Sequence, residues 1–308
     1  MAKKLDLPFQ AVHLADKNAL VQLLLESKVV IHAAGPFSAT ARQMIEACLV
    51  TKSHYIDITG EWPVYEYARS KSKEAMDVGI MLLPGAGFDV VPSDCLALHL
   101  KNLLPDATSL ELAFTSKNSS VSRGTAKTMI EGAPDGQRYR IDHELARKSL
   151  GTSIKEIDFG DFKQTCVGIS WGDISTAYAS TGIPTIEVFT GAPLKQINKL
   201  KWMGKLSFML KWPFVQNYLK NQVDKRPAGP DAERRKKGEA WFWGKVSDGI
   251  VSMEARLKTP EGYTLTAMTT TAIARNIVDG NYKPGYQTPG TAYGEKFITD
   301  FPGVGSFF

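Results

Sequence analysis

Cysteine is scarce in this 308-residue chain: Cys48, Cys95 and Cys166 stand far apart and odd in number. They form no Cys-x-x-Cys pair and no disulfide ladder. That excludes a small disulfide-stapled fold and makes a reducing cytoplasm the expected compartment. The five histidines, His13, His32, His54, His99 and His143, are equally scattered. Only Cys95 and His99 fall four residues apart, too sparse a pair for a metal site, so no metal is expected. No run of about 18 apolar residues occurs, and none of the expected helices spans a membrane. The opening MAKKLDLPFQ has basic residues without an apolar stretch behind them, so it does not read as a secretory signal. A glycine-rich phosphate loop is missing too. Gly85-Ala86-Gly87 meets Val90 where a third glycine belongs, and Gly303-Val304-Gly305 meets Phe308.

What the chain does have is an uneven charge. Between Lys195 and Lys237 there are 12 Lys/Arg against three acids, Asp224, Asp231 and Glu233; the remainder holds 25 bases and 29 acids. A mildly acidic protein with one basic segment is not a nucleic-acid binder by composition, and no nucleic acid is expected as partner. Residues 188–223 hold six lysines and no acid, interleaved with Trp202, Met203, Leu206, Phe208, Met209, Leu210, Trp212, Phe214 and Tyr218. Such a segment fits an amphipathic helix lying on an anionic membrane. It fits equally a lid whose aromatic side packs on a sheet while its lysines face water, and packing is the slightly favoured reading.

The first hundred residues alternate between strand and helix signals. Phe9–Leu14, Lys28–Ala34, His54–Thr59 and Gly79–Pro84 read as strands. Helices follow them: one capped by Asp16, one capped by Ser38 and ending at Leu49, one over Pro63–Val78, and one capped by Ser93 and ending at Leu104. The strands are apolar rather than alternating, which fits a parallel sheet covered on both faces. Beyond residue 108 the style changes. Ser109–Ser116, Ile154–Phe159, Thr165–Trp171, Thr176–Ser180, Thr185–Thr190, Ala240–Val246 and Ile250–Lys258 read as strands of a largely antiparallel sheet. Gly124–Gly132, Gln196–Leu219 (interrupted near Pro213) and Thr264–Val278 read as helices, and residues 224–238 as an exposed connector. The fold class is therefore α/β with a second α+β unit. The divisions are 1–107, 108–285 with its basic helix at 195–220, and a tail at 286–308 expected to return to the first unit.

In a parallel sheet the loops after the strands gather at one edge, where ligands bind. Three of them carry glycine: AAGPF (33–37), DITGE (57–61) and PGAGFD (84–89). Asp57, Glu61 and Asp89 are the carboxyls nearest that edge. Each is a candidate for acid–base work or for a ribose hydroxyl, and for each a structural cap is the favoured reading. Arg123, in SRGTA, is a candidate clamp for an anion or a surface cap. His54 and Tyr55 precede the edge on their strand, with packing the favoured role. Cys95 near a helix start is either a thiol of lowered pKa or, more simply, a small buried side chain.

The runs VVIHAAGPFSATARQMIEACLVTKSHYIDITGEWPV, GIMLLPGAGFDVVPSDCLA, SRGTAKTMIEG, WGDISTAYASTGIPTIEVF, RPAGP, TPEGYTLTA and GYQTPGTAYG resemble the saccharopine dehydrogenase-like oxidoreductases. The resemblance is to the branch that includes trans-acting enoyl reductases. It implies a Rossmann domain for NADP or NAD, a second domain closing over the nicotinamide, and hydride transfer on an acyl, enoyl or other small carbonyl-type substrate. It also implies a homodimer. Carried onto this sequence, the cofactor-facing residues are Ala34, Gly35, Pro36, Phe37, Asp57, Gly60, Glu61, Gly85, Gly87, Phe88 and Asp89; no catalytic acid maps cleanly. Against the family, the first two βα units are missing, so the expected sheet is incomplete, truncated at its amino-terminal side, with an unpaired edge. Weak dinucleotide binding is then expected, because the pyrophosphate normally rests on that lost turn. The alternatives are a non-catalytic protein peripheral to membranes or an inert fragment.

Overall fold

The computed structural model describes residues 5–118, 123–205, 209–225, 229 and 231–308. Two sheets organise the chain. The first is wholly parallel, in the order β1 (Val29–His32), β2 (His54–Asp57), β3 (Met81–Leu83), β12 (Gly285–Tyr286). Its register pairs His32 with Asp57, Tyr55 with Leu82 and Gly285 with Met81. The strand period of two splits its residues between two cores. Val30, Tyr55 and Leu82 face Leu20, Leu24, Met44 and Ile45 on α1 (Lys17–Leu24) and α2 (Phe37–Thr51), with α3 (Trp62–Ser70) and α4 (Ser72–Val78) beside them. Ile56, Met81 and Leu83 face the opposite core, which takes in α5 (Val91–Leu103) and α11 (Gly262–Val278).

The second sheet is mixed. Its main path runs β11 (Ser252–Pro260), β10 (Glu239–Ser247), β4 (Ser109–Lys117), β9 (Thr185–Gly191), β5 (Gln137–Ile141), β6 (Glu144–Lys148). β8 (Lys163–Ile169) also pairs with β9, and β7 (Ile154–Asp158) with β8. All pairs are antiparallel except β4 with β9. Leu110, Leu112, Val188 and Phe242 point to α5, so one continuous core joins the two sheets. Ala113, Phe189, Trp241 and Trp243 point the other way, onto Ile157, Phe159 and Cys166. The remaining helices are α6 (Arg123–Gly132), α7 (Asp173–Thr181), α8 (Leu194–Lys205), α9 (Pro213–Asp224), α10 (Ala232–Lys237) and α12 (Pro289–Tyr293).

Several expectations change. Residues 9–14 form no strand, none of the described strands pairs with them, and Phe9 is exposed. Thr176–Ser180 is helical, inside α7: Gly172 and Gly182 bracket a run of small residues that packs against α5 and α3. The arginine-bearing hairpin β5–β6 occupies a stretch to which the sequence assigned no element. Helix 63–78 is two helices, parted at Lys71. The connector 224–238 contains α10, capped by Asp231, whose Oδ1 accepts the Arg234 amide at 2.8 Å; of its RPAGP run only Gly229 is described. Asp16 does cap α1, accepting the Ala19 amide at 3.0 Å. Ser38 and Ser93 are not caps. Each lies inside its helix, and the Ser93 hydroxyl turns to Val90 O and to Asp173 Oδ1 at 2.6 Å. Sheet order makes β1 an edge strand whose outward Ile31 is 48% exposed.

Candidate functional site

All strands of the parallel sheet end at one edge, and Asp57 arrives there at the end of β2 with no exposure. Its Oδ2 accepts the Tyr55 hydroxyl at 2.6 Å, and its Oδ1 accepts the amides of Thr59 at 3.0 Å and Gly85 at 2.8 Å. Its carbonyl oxygen takes the Ala86 amide at 2.6 Å. Burial lifts the carboxyl to about 6, although these donors pull it down. Both carboxylate oxygens are engaged, so Asp57 ties loop 57–61 to loop 84–89. Behind it the Tyr55 oxygen meets His32 Nδ1 at 3.0 Å, and burial lowers the His32 pKa. His54 Nδ1 accepts the Met81 amide at 2.9 Å. Packing is thus the role of both His54 and Tyr55. Cys95 is fully buried, and burial drives its thiol pKa well up, the opposite of an activated cysteine.

Glu61 does something the sequence concealed. The first amides of a helix have no partner within it and attract anions. At the start of α2, after the cis Gly35–Pro36 bond, those of Phe37 and Ser38 donate to Glu61 Oε1 and Oε2 at 2.9 and 2.8 Å. The carboxylate fills that anion site from inside the protein and fastens AAGPF to DITGE.

Asp89 behaves differently from both. It is half-buried, its carboxylate makes no hydrogen bond among the described residues, and burial pushes it up to about 7. The carboxyl lies against bare backbone: a Cβ on Gly60 would stand 2.8 Å from Asp89 Oδ2. At Gly85, φ is +80° and a Cβ would come within 2.6 Å of the Tyr65 hydroxyl, which itself bonds to Thr59 O. Only glycine lets these loops close on each other. The Asp89 carbonyl takes the Trp171 indole N–H at 2.7 Å, which fixes the residue from the second sheet's side. Aromatic rings continue the wall: Phe88 stands 5.3 Å from Phe242, and Phe114 5.0 Å from Trp171. Gly87 closes the loop on α11, where the Phe88 amide donates to Thr266 Oγ1 at 3.0 Å.

Arg123 opens α6 as an exposed residue. The cation at this seam is Arg138 of β5, which sequence reading passed over. Its guanidinium lies 5.7 Å from the Trp62 ring, next to Glu61, and its amide donates to Ser170 at 2.8 Å, beside Trp171. Its Nε is buried without an acceptor, and no carboxylate pairs with it among the described residues. Strand alternation puts Arg138 and Arg140 on one face, so no local pattern tells them apart; they differ in partner, since the Arg140 guanidinium is held by Glu66 at 2.9 Å.

For a dinucleotide these residues fit at one end. Gly60 brings backbone close to Asp89, while Gly85 and Gly87 close against Tyr65 and Thr266, so the loops present bare backbone to a flat ring. The pyrophosphate end has no match: the α2 amides are taken by Glu61, and no glycine-rich turn exists in the sequence.

Residues 2–83 match the saccharopine dehydrogenase NADP binding domain family. A lipid droplet localized protein of Caenorhabditis elegans is 22% identical over 93% of this chain and 80% of its own length. A Mycobacterium tuberculosis protein named as a candidate trans-acting enoyl reductase is 28% identical over 44% of this chain and 35% of its own. The chain spans about a third of the length of the saccharopine dehydrogenase-like oxidoreductases it matches. Among solved structures, apo saccharopine dehydrogenase (L-Glu forming) of Saccharomyces cerevisiae shares the fold, with a TM-score of 0.60 and 13% identity over 98% of this chain and 89% of that one. Residues 2–83 thus resemble a saccharopine dehydrogenase NADP binding domain, and the whole described chain shares the fold of saccharopine dehydrogenase.

Proposed function

We propose that this chain is a nicotinamide-dependent oxidoreductase acting on an anionic acyl, enoyl or other small carbonyl-type compound, with Asp89 as its acid–base group. The observation that carries this is the state of Asp89: unbonded, half-buried, held against Gly60, and raised to about 7 at the ligand-binding edge of a parallel sheet. A bound nicotinamide supplies or takes a hydride. Asp89 delivers a proton to the substrate oxygen, or to the carbon next to it, as the substrate is reduced; in the reverse direction it removes that proton. Arg138 holds the substrate's anionic group against Trp62, because its Nε has no acceptor and no carboxylate pairs with it among the described residues. Phe88, Phe114, Trp171 and Phe242 exclude water around the reacting carbon.

These 308 residues bind the dinucleotide weakly in this reading, because Glu61 occupies the α2 amides that a phosphate would use. A cytoplasmic place of action fits three free, buried thiols. Titration with NADPH, followed by nicotinamide fluorescence, checks the affinity; micromolar binding overturns the weak-binding part. Turnover of acyl and enoyl substrates at saturating NADPH checks the rest: a D89N variant as fast as the wild-type chain removes Asp89 from the reaction.

A further inference from the structure

The helices α8 and α9 bury part of their apolar side chains, and α8 turns its lysines to water, but they leave several aromatic rings outward. In α8 the inward side is Ile197, Leu200 and Gly204, packed against Val167, Ala192 and Leu150. Its outward side is Lys195, Lys199 and Trp202, at spacings of four and three, so they form one stripe. Trp202 is 69% exposed, and Leu194 at the helix start 66%. In α9 the inward side is fixed by Gln216 on Ile130 O at 3.0 Å, Lys220 on Glu131 at 2.7 Å and buried Val223. The outward side carries Phe214 and Tyr218, one turn apart and 66% and 63% exposed. Trp212 leads into it, 44% exposed, with its ring 5.5 Å from Phe214.

Five large apolar side chains, four of them aromatic, therefore face solvent on two successive helices. The cations beside them are all lysines: six between Gly191 and Val223, with no arginine and no acid. Lys195, Lys199, Lys201 and Lys205 are exposed and form no ion pair among the described residues. Protein interfaces enrich aromatic residues and arginine but deplete lysine, so this composition is a poor match to a protein partner. Tryptophan and tyrosine rings lodge at the headgroup level of a bilayer. Lysines reach anionic headgroups along their stems, and acids are excluded by the same negative surface.

We infer that the outward sides of α8 and α9 are a docking face for an anionic phospholipid surface. The face lies on elements outside the Asp89 seam and does not depend on the reaction assigned there. The test is flotation of the full chain with vesicles of phosphatidylcholine alone or with about a third phosphatidylserine, at low and high salt. Two triple variants accompany it, W202A/F214A/Y218A and K195E/K199E/K201E, with circular dichroism melting to establish that each is folded. The wild-type chain floats with the anionic vesicles and not with the neutral ones, and salt weakens it. Each triple variant binds at least about tenfold more weakly, since each lysine near such a surface is worth about 1 kcal/mol. No flotation, equal flotation with both vesicles, or folded variants that float like the wild-type chain overturns the inference. Concentration-dependent dimers abolished by W202A/F214A/Y218A, without flotation, would give the face to a second copy. Binding to single-stranded oligonucleotide in place of vesicles would give it to nucleic acid.

Discussion

At the carboxyl edge of the parallel sheet, the Asp57 and Glu61 side chains accept five hydrogen bonds between them from a hydroxyl and four backbone amides. On α8, by contrast, Lys195, Lys199, Lys201 and Lys205 form no ion pair among the described residues, and on α8 and α9 aromatic rings meet water. In the first region polar groups are spent on closing loops, and the one carboxyl left over, Asp89, is conspicuous for that reason. In the second, inward residues hold the helices down and the outward ones face water. A polar group inside the fold is thus informative when it lacks a partner, and an apolar group outside it is informative when it has like neighbours.

The sharpest way to break this contrast is at Asp89. D89N keeps shape and removes the proton donor, and turnover falls about 10²–10⁴-fold if Asp89 does acid–base work. In the reducing direction the wild-type rate falls as pH rises through about 7, and the variant's profile is flat there. Stability carries the same signature with a definite sign. The folded-state pKa is raised above the ordinary 3.8, so the folded chain keeps a proton that the unfolded chain releases. The resulting stability is fully present below about pH 4 and is lost as pH rises through 7. Denaturant midpoints are therefore higher at pH 5 than at pH 8. D89N reduces that difference without abolishing it, since Asp57 and Asp94, both raised to about 6, act in the same direction. A midpoint that rises with pH contradicts the assignment.

D57L comes next. It leaves the amides of Thr59 and Gly85 without an acceptor where water does not reach, and the Tyr55 hydroxyl with only His32 Nδ1 beside it. Losing one partner of a buried hydrogen bond costs about 1–3 kcal/mol, so a total of about 3–5 kcal/mol is expected in urea unfolding. A loss under about 1 kcal/mol means the two loops are held by something else. E61A is milder, because the freed Phe37 and Ser38 amides lie near the surface. About 1 kcal/mol is expected, as for a helix cap, with faster hydrogen exchange confined to those two amides. Uniformly faster exchange along α2 would show that Glu61 holds the whole helix.

Much of the edge was legible beforehand, because period and punctuation are local. The β1, β2 and β3 runs, the glycine-bearing loops after them, helix α11 and the break near Pro213 all follow from patterns within a few residues. What stayed hidden depends on partners far along the chain. Glu61 meets amides 23 and 24 residues away, and Asp57 an amide 28 away. Ser93 prefers Asp173, 80 residues on, to the helix start beside it. Thr176–Ser180 carries residues that suit a strand until Gly172 and Gly182 and the burial of α7 against α5 make it a helix. Arg138 lacked any local sign, because what distinguishes it from Arg140 is only that no carboxylate pairs with it among the described residues.

The smallest expected effect separates the two sides of a single helix. Ile197 and Trp202 lie five residues apart on α8, the first 1% exposed and the second 69%. I197A empties a packed site against Val167 and Ala192 and costs about 2–4 kcal/mol. W202A removes a far larger ring, yet the ring is mostly in water in both folded and unfolded chains, so stability changes by no more than about 0.5 kcal/mol. Urea midpoints at constant m-value measure both. If W202A costs as much as I197A, the indole packs against the fold in solution, and the outward aromatic face disappears with it. If W202A is neutral while its emission sits at the red limit of a hydrated indole, the tryptophan is held outward at no gain to the fold, which leaves its reason for being there outside the chain.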